Sequence, residues 1–492
     1  MRTHRFRSTV AVLGVALLAL AGCSKAEKDS GYTSAPRQEA GKGADSNADE
    51  PGYQGNDSAK STFAIDIDTA SYTYARRLIL DGRRPYAGDV RAEEFVNAFK
   101  QDYPQPYGSG FTVNVDGARL PGFAAETEES ATDTRLLRIG LQTRAEDESS
   151  RRDAALTFVI DTSGSMSEAG RLDLVQDALH TLVDQLRGTD AVAIVAYESR
   201  AKVLRPMTPV SNRRALHAAI DDLSPGGSTN LEDGLVTGYQ VARDGFRQGA
   251  TNRVILLSDG LANVGATSAE PILRQVREAA AKQIALLGVG VGSDYGDQLM
   301  EQLADSGDGF VTYVSEPAQA RELFVHQLPA TLTVRARDAK AQVTFDRQTV
   351  ASFRLVGYEN RSLAAEDFRD DSVDGGEVGP GHSVTALYLV RLRPEATGRV
   401  AQARVRWLDP VGGEAREAAA EVRVTDLNRD FAATSPRLRV DYAAAGFAEA
   451  LRGGTYSSMG YLRELATVAD AAYRDTSDPQ VAELAQLIRS VR

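Results

Sequence analysis

One cysteine in 492 residues leaves no partner for an intramolecular disulfide, so a disulfide scaffold is excluded. Five scattered histidines, with no second thiol, leave little material for a zinc site. Excess positive charge is also missing. Lys+Arg number 56 against 68 Asp+Glu, a formal charge of −12, and nucleic-acid affinity needs clustered cations that neutralise phosphates. No apolar run reaches the ~20 residues that span a bilayer. Also absent are a G-x-S-x-G elbow, an H-E-x-x-H helix and a glycine-rich loop ending in Lys-Ser/Thr. What is present is 42% hydrophobic content, enough for buried cores over two to four domains.

The solitary cysteine has a position that explains it. Arg2, Arg5 and Arg7 precede an apolar run from Val10 to Leu20, and Leu20-Ala21-Gly22-Cys23 follows. A basic start, a short apolar stretch and small residues describe a secretory signal. The tetrad resembles a bacterial lipobox, which implies cleavage before Cys23 and lipidation of Cys23. Residues 1–22 are then a signal peptide, and the mature chain carries 53 basic against 68 acidic residues, or −15. Residues 24–60 contain no Val, Ile, Leu, Met, Phe or Trp. Such a segment cannot bury enough surface to offset chain entropy, so residues 23–60 read as a lipidated, disordered tether. Its ends would sit roughly 30–35 Å apart. The expected location is extracytoplasmic, lipid-anchored to a bacterial cell membrane.

From Ala155 the pattern alternates strand and helix at βαβ spacing. Ala155–Ile160 is a continuous apolar run suited to a strand buried on both faces. Arg171–Arg187 follows with Leu172, Val175, Leu179, Leu182 and Leu186 at helical spacing, and His180 falls inside it. Further strands are expected at Ala191–Tyr197, Arg253–Leu257, Ile284–Val291 and Phe310–Val314. Helices are expected near Asn212–Leu223 (holding His217), Leu231–Phe246, Ala269–Lys282, Asp297–Asp305 and Pro317–Leu328. The fold class is therefore α/β with a doubly wound, mostly parallel sheet, whose ligands bind beyond the carboxyl ends of the strands.

Three loops at that edge carry hard oxygens. They are Asp161-Thr162-Ser163-Gly164-Ser165, Gly226-Gly227-Ser228-Thr229-Asn230 and Ser258-Asp259-Gly260. Hydroxyls and carboxylates without nitrogen or sulfur suit Mg²⁺ or Mn²⁺. Singly, each loop has an ordinary reading as a cap, a flexible turn or a tight turn. Together, the sequence resembles the von Willebrand factor A (vWA) family and its metal-ion-dependent adhesion site (MIDAS). Asp161, Ser163 and Ser165 match D-x-S-x-S, Thr229 the loop threonine and Asp259 the later aspartate. The resemblance implies Ser163, Ser165 and Thr229 on the metal, with Asp161 and Asp259 acting directly or through water. Neutral hydroxyls leave the ion's charge poorly compensated, so a partner's Asp or Glu carboxylate can fill the open position. Thr162, Met166, Glu198 and Asn263 are expected to shape that contact.

The flanks carry a second resemblance. Residues 331–430 break into short runs of period two, including Leu332–Arg335, Gln342–Phe345, Val384–Leu392, Ala401–Leu408 and Ala418–Val424, which suggest an antiparallel sandwich. Trp407 is expected in its core. Residues 431–492 read as helical, and residues 61–150 as an α+β extension holding helices at Tyr72–Leu80 and Ala92–Phe99. The chain is similar to a family of bacterial lipoproteins with a central vWA domain (residues 151–330) and N- and C-terminal extensions. Asp66-Ile67-Asp68-Thr69-Ala70-Ser71-Tyr72, Arg91-Ala92-Glu93-Glu94-Phe95, Leu355-Val356-Gly357-Tyr358-Glu359-Asn360-Arg361 and Gly379-Pro380-Gly381-His382 carry that likeness. In vWA domains the two chain ends lie together, opposite the metal. The strands at Phe111–Val115 and Leu136–Leu141 are therefore expected to join the sheet formed after residue 331, making the α/β domain an insertion.

The functional expectation is a non-enzymatic, membrane-anchored adhesion or scaffold module that captures an acidic partner through Mg²⁺ or Mn²⁺. Two other readings stand beside it. One is an envelope lipoprotein whose metal only stabilises the fold. The other is a metal-dependent hydrolase or phosphotransferase using Asp66 in the D-x-D of Asp66-Ile67-Asp68, which resembles haloacid-dehalogenase phosphotransferases. Those want Thr or Val where Ala70 stands, and Asp66 and Asp68 otherwise read as turn and cap residues.

Overall fold

The computed structural model describes residues 59–108, 110–122, 134–145, 151–259, 270–292, 300, 303–304, 306–307, 309–314, 320, 323–324, 334–373, 375–410, 412–453 and 458–491. Cys23, the tether through residue 58, Asn263 and most of the two helices expected at Asp297–Asp305 and Pro317–Leu328 lie outside them, while Lys60, expected as the last tether residue, starts a strand. Among the described residues no helix is long and apolar enough to cross a membrane.

In chain order the strands begin with β1 (Lys60–Ala64), β2 (Phe111–Arg119) and β3 (Thr134–Thr143). The α/β segment supplies β4 (Ala154–Asp161), β5 (Ala191–Tyr197), β6 (Ala201–Pro209), β7 (Thr251–Ser258), β8 (Ile284–Val291) and β9 (Phe310–Val314). After it come β10 (Ala336–Phe345), β11 (Val350–Val356), β12 (Ser362–Leu363), β13 (Gly376–Val378), β14 (Ser383–Leu392), β15 (Arg399–Leu408) and β16 (Ala415–Arg423). The middle group forms one sheet in the order β6-β5-β4-β7-β8-β9. Its pairings are parallel except β5–β6. Helices Leu172–Gln185, Arg213–Asp221, Leu231–Asp244 and Glu270–Ala280 accompany it. Leu179, Leu182 and Ile194 pack in one core, and Leu235, Tyr239 and Val254 in another. Every residue of β4 and β5 is buried, as their unbroken apolar runs require.

The antiparallel edge strand β6 was not expected from the sequence. Ala-Lys-Val-Leu-Arg-Pro-Met-Thr-Pro is largely exposed and holds two prolines, so it offers neither an apolar run nor clean alternation. Edge strands tolerate both, because one side of their ladder faces solvent.

The flanking strands share two further sheets, ordered β12-β1-β10-β15-β16 (with β13 on β10) and β11-β14-β3-β2. Strand β3 pairs with β14 from Gln142–Ser383 to Thr134–Arg391, and β1 with β10 from Lys60–Thr344 to Ala64–Lys340. Each sheet is thus built from strands on both sides of the α/β segment; β2 and β3 join the later strands as expected, whereas the pairing of β1 with β10 was not anticipated. The run expected at Leu332–Arg335 differs: strand structure starts at Ala336, and Val334 and Arg335 precede it. Between the sheets Phe345, Phe353, Tyr388 and Trp407 form the core, with Trp407 edge-on to Phe111 at 5.1 Å.

Helices Pro436–Arg452, Met459–Thr476 and Pro479–Ser490 close the outer face of β2 and β3 together with helices Ala70–Leu80 and Ala92–Asn97. Ser435 caps the first of them, accepting from Leu438 N–H. A buried ion network fastens it to the sheet. Arg138 on β3 donates to Asp441 (2.8 Å) and to both oxygens of Asp116 (2.7 Å each), and Gln101 donates to Asp441 (2.7 Å). Burial pushes the Asp441 carboxyl up to about 6, against the pull of Arg138.

His180 and His217 join neighbouring helices. Their Nδ1 atoms lie 2.7 Å apart, and their Nε2 atoms face Asp221 and Asp184 at 3.1 and 3.2 Å. Both are satisfied boundary residues.

Asp66 and Asp68 are structural links. Asp66 accepts Asp68 N–H (3.0 Å) and Arg361 Nε (3.2 Å), and Asp68 accepts Val311 N–H on β9 (3.2 Å). Asp66 makes a turn, and the N-cap residue of the helix that follows is Thr69, which makes no side-chain cap bond.

Two outcomes test this architecture. Residues 331–492 expressed alone lack β1, β2 and β3, so they should show no cooperative thermal transition by circular dichroism; a sharp melt would contradict the shared sheets. The second concerns Glu93, 1% exposed beside the turn at Gly357 and Tyr358, both at positive φ. Burial, reinforced by the charge of Asp66, raises its carboxyl from 4.5 to about 7. Between those values the unfolded chain releases a proton that the fold keeps, so stability falls as pH rises through this window. Glu93→Gln should raise the urea midpoint at pH 8 by an equivalent of about 2–3 kcal/mol and change it little at pH 4.

Candidate metal centre

Strand β4 ends at Asp161, fully buried between β5 and β7, so its carboxylate emerges at the carboxyl edge of the parallel sheet. Asp161 Oδ1 accepts Ser163 N–H (2.8 Å), which turns the chain sharply into the short 3-10 helix Gly164–Ser167. Its Oδ2 accepts the hydroxyls of Ser258 (2.9 Å) and Tyr197 (3.4 Å) at the ends of β7 and β5. Ser163 Oγ and Ser165 Oγ lie 3.1 Å apart, and Ser165 Oγ donates to Asp259 Oδ1 at 3.0 Å. The structure therefore brings Asp161, Ser163, Ser165 and Asp259 into one connected cluster.

Thr229 lies buried in the loop docked against it. That loop is zipped on by Gly226 N–H to Thr162 O (2.7 Å) and Gly164 N–H to Gly227 O (3.1 Å). Asn230 ends it, capping helix Leu231–Asp244 by accepting Asp233 N–H (3.1 Å). Gly227 has φ +71°, and a Cβ there would sit 1.9 Å from Glu198 Oε2, so only glycine fits.

Of the four residues expected to shape a contact surface, Thr162 and Met166 do not face outward. Thr162 donates to Tyr197 O (3.1 Å), and Met166 is 1% exposed in the core. The apolar contacts of a buried thioether outweigh its proximity to the loop. Glu198 remains half-buried beside Gly227. Ser258, in a loop expected to carry oxygens, takes part through Asp161, and two contributors escaped the sequence reading: Tyr197 and Arg171. Arg171 donates Nη1 to Asp259 Oδ2 at 2.5 Å. Its one sequence signal is a cation immediately before helix Leu172–Gln185, where the helix dipole disfavours positive charge.

The donor set tests which ion the cluster suits. Hydroxyl and carboxylate oxygens with no nitrogen or sulfur fit a hard dication such as Mg²⁺ or Mn²⁺. The 3.0 and 3.1 Å separations are hydrogen bonds among those oxygens. Burial pushes the Asp161 carboxyl above its ordinary range, and the charge of Asp259 acts in the same direction. A bound dication would relieve both. Among the described residues no three His, Cys, Asp or Glu side chains gather as a metal site, so the donor set rests on hydroxyls.

This sheet and loop arrangement defines a von Willebrand factor A-domain protein, and residues 155–326 match the "von Willebrand factor type A domain" family. Residues 330–492 match "Uncharacterized protein YfbK, C-terminal", and residues 44–127 match a family described as "von Willebrand factor". "Uncharacterized protein YfbK" of Escherichia coli (strain K12) is 31% identical over 468 residues, spanning 89% of this chain and 79% of that protein. The chain belongs to the YfbK family. Human inter-alpha-trypsin inhibitor heavy chain H4 is 29% identical over 233 residues, 44% of this chain but 25% of that protein. The solved "von Willebrand factor type A from Catenulispora acidiphila" covers 78% of this chain and 91% of its own, at 17% identity and TM-score 0.48.

Asp161→Ala removes the carboxylate to which Ser163 and Ser258 are tied. Wild-type protein should gain about 2.7 kcal/mol of stability at Mg²⁺ a hundredfold above its Kd, read as a rise in melting temperature. The variant should show none; an unchanged Mg²⁺ response would sink the ligand assignment.

Proposed function

We propose that the protein is a membrane-tethered binding module that captures an acidic residue of a partner protein through Mg²⁺ or Mn²⁺ held at the carboxyl edge of the parallel sheet. The observation that carries this reading is the oxygen cluster of Asp161, Ser163, Ser165 and Asp259, a donor set of hydroxyls and carboxylates suited to a hard dication, with Thr229 in the adjoining loop. When bound, such an ion supplies a positive charge with a position open to a carboxylate. The three hydroxyls add no charge, and Arg171 beside Asp259 offsets one of the two carboxylates, so the loaded site stays net positive and favours an anionic ligand.

Binding suits the geometry better than the phosphotransfer reading. Asp66, which the phosphotransfer reading requires as a nucleophile, is 4% exposed and accepts from Asp68 N–H and Arg361. A carboxylate so enclosed cannot reach a phosphoryl group.

The location follows from the N-terminus: a signal through Gly22, lipid on Cys23, and a polar tether that lifts an acidic body off the membrane. Electrostatic repulsion from anionic lipid would keep that body free to meet its partner.

A pull-down from envelope extract, with Mg²⁺ or with chelator, using wild type and Asp161→Ala, tests the capture. A partner retained by wild type in Mg²⁺ and lost both with chelator and in the variant is expected; retention in all arms would refute metal-dependent capture. Cys23→Ala should move the protein from the membrane to the soluble extracytoplasmic fraction, and continued membrane association would refute the lipid anchor.

A further inference from the structure

Arg171 is the cation that the metal cluster already contains. Its side chain is 7% exposed. Nη1 donates to Asp259 Oδ2 (2.5 Å) and to Ser165 O (3.2 Å), while Nη2 pairs with Glu168 Oε2 (2.7 Å). Behind it stands Gly292, just past β8, at φ +96°, where an added Cβ would meet Arg171 Nε at 3.1 Å. The guanidinium is thus walled in by the first metal loop, the Asp259 loop and the end of β8.

This placement runs against local preference. Arg171 is the N-cap residue of helix Leu172–Gln185, makes no side-chain cap bond, and sets its positive charge at the positive end of the dipole. The contact with Asp259 offsets that cost. Asp259 is divided by it: Oδ1 faces Ser165 Oγ and the hydroxyls, and Oδ2 is committed to Arg171.

We infer that Arg171 is a positioning residue, a resident counter-charge that fixes Asp259 and sets the balance between metal affinity and the attraction for an incoming carboxylate. The inference rests on the metal-dependent capture proposed above. Asp161 and Asp259 together carry two negative charges, and Arg171 cancels one of them. A dication therefore binds less tightly than the two carboxylates alone would allow, and the loaded site keeps one more positive charge for the partner. Glu168 does not reverse this, because its side chain is 67% exposed and water screens it. Glu198, half-buried against Gly227, contributes equally with or without Arg171, so the difference of one charge persists.

Titration calorimetry with MgCl₂ alone, at fixed ionic strength, separates the possibilities. Arg171→Gln, neutral but still able to donate to Asp259, should bind Mg²⁺ roughly tenfold tighter than wild type, about 1.4 kcal/mol. Arg171→Lys keeps the charge and should stay near wild type, a rescue that a merely structural role would not produce. Arg171→Met replaces the Gln variant if that protein does not melt cooperatively. Mg²⁺ affinity in the neutral variants equal to or weaker than wild type, with binding abolished in Asp161→Ala, would overturn the role of Arg171 and leave the metal site standing. Undiminished binding in Asp161→Ala would remove the metal site and this inference together.

Discussion

The pairing of β3 with β14 is the contact on which the molecule is organised. Nine residue pairs, Gln142–Ser383 through Thr134–Arg391, join segments some 240 positions apart. Everything between them, including the whole parallel sheet, must leave and return within one ladder. An antiparallel register of that length is unforgiving, since a one-residue slip would turn Leu137, Ile139 and Leu141 from the core to the other face. The outer face of the same strands receives the C-terminal helices through Arg138 and Asp441. One strand, β3, therefore carries the sandwich core on one side and the helical layer on the other.

The α/β domain departs from this frame at the start of β4, and the oxygen cluster lies at the other end of that strand, at the carboxyl edge of the sheet. At that edge the controlling quantity is charge. Asp161 is buried, and its partners are a backbone N–H and two hydroxyls, none of them a cation. Asp259 is given one by Arg171. The two carboxylates thus differ in kind: one waits for a positive charge and the other already has it.

How much of this could be read along the chain differs by element. Buried strands announce themselves: Ala155–Ile160 and Ala191–Tyr197 are runs that only a doubly covered sheet can bury. The loops at their ends carry Asp161, Ser163, Ser165, Thr229 and Asp259 in the family order, so four of the five could be expected beside one another and are found hydrogen-bonded in sequence. Strand β6 was not legible, because an edge strand needs no apolar pattern. Nor was the burial of Thr162, whose hydroxyl turns to Tyr197 O, or of Met166, which depends on which face of a four-residue helix turns inward. Arg171 shows the limit most clearly. Its neighbour Asp259 lies 88 positions away, and nothing in local spacing links them.

What the sequence determined by itself was the inventory: a parallel α/β domain between β-rich flanks, with oxygen-bearing loops at the ends of its buried strands. These follow from local rules of periodicity and ligand chemistry. Tertiary structure alone decided which strands share a sheet, which carboxylate is already neutralised, and that Asp68 reaches across to Val311 on β9. Each of those is a contact between residues far apart in the chain, where burial and electrostatics act through space and sequence distance carries no information.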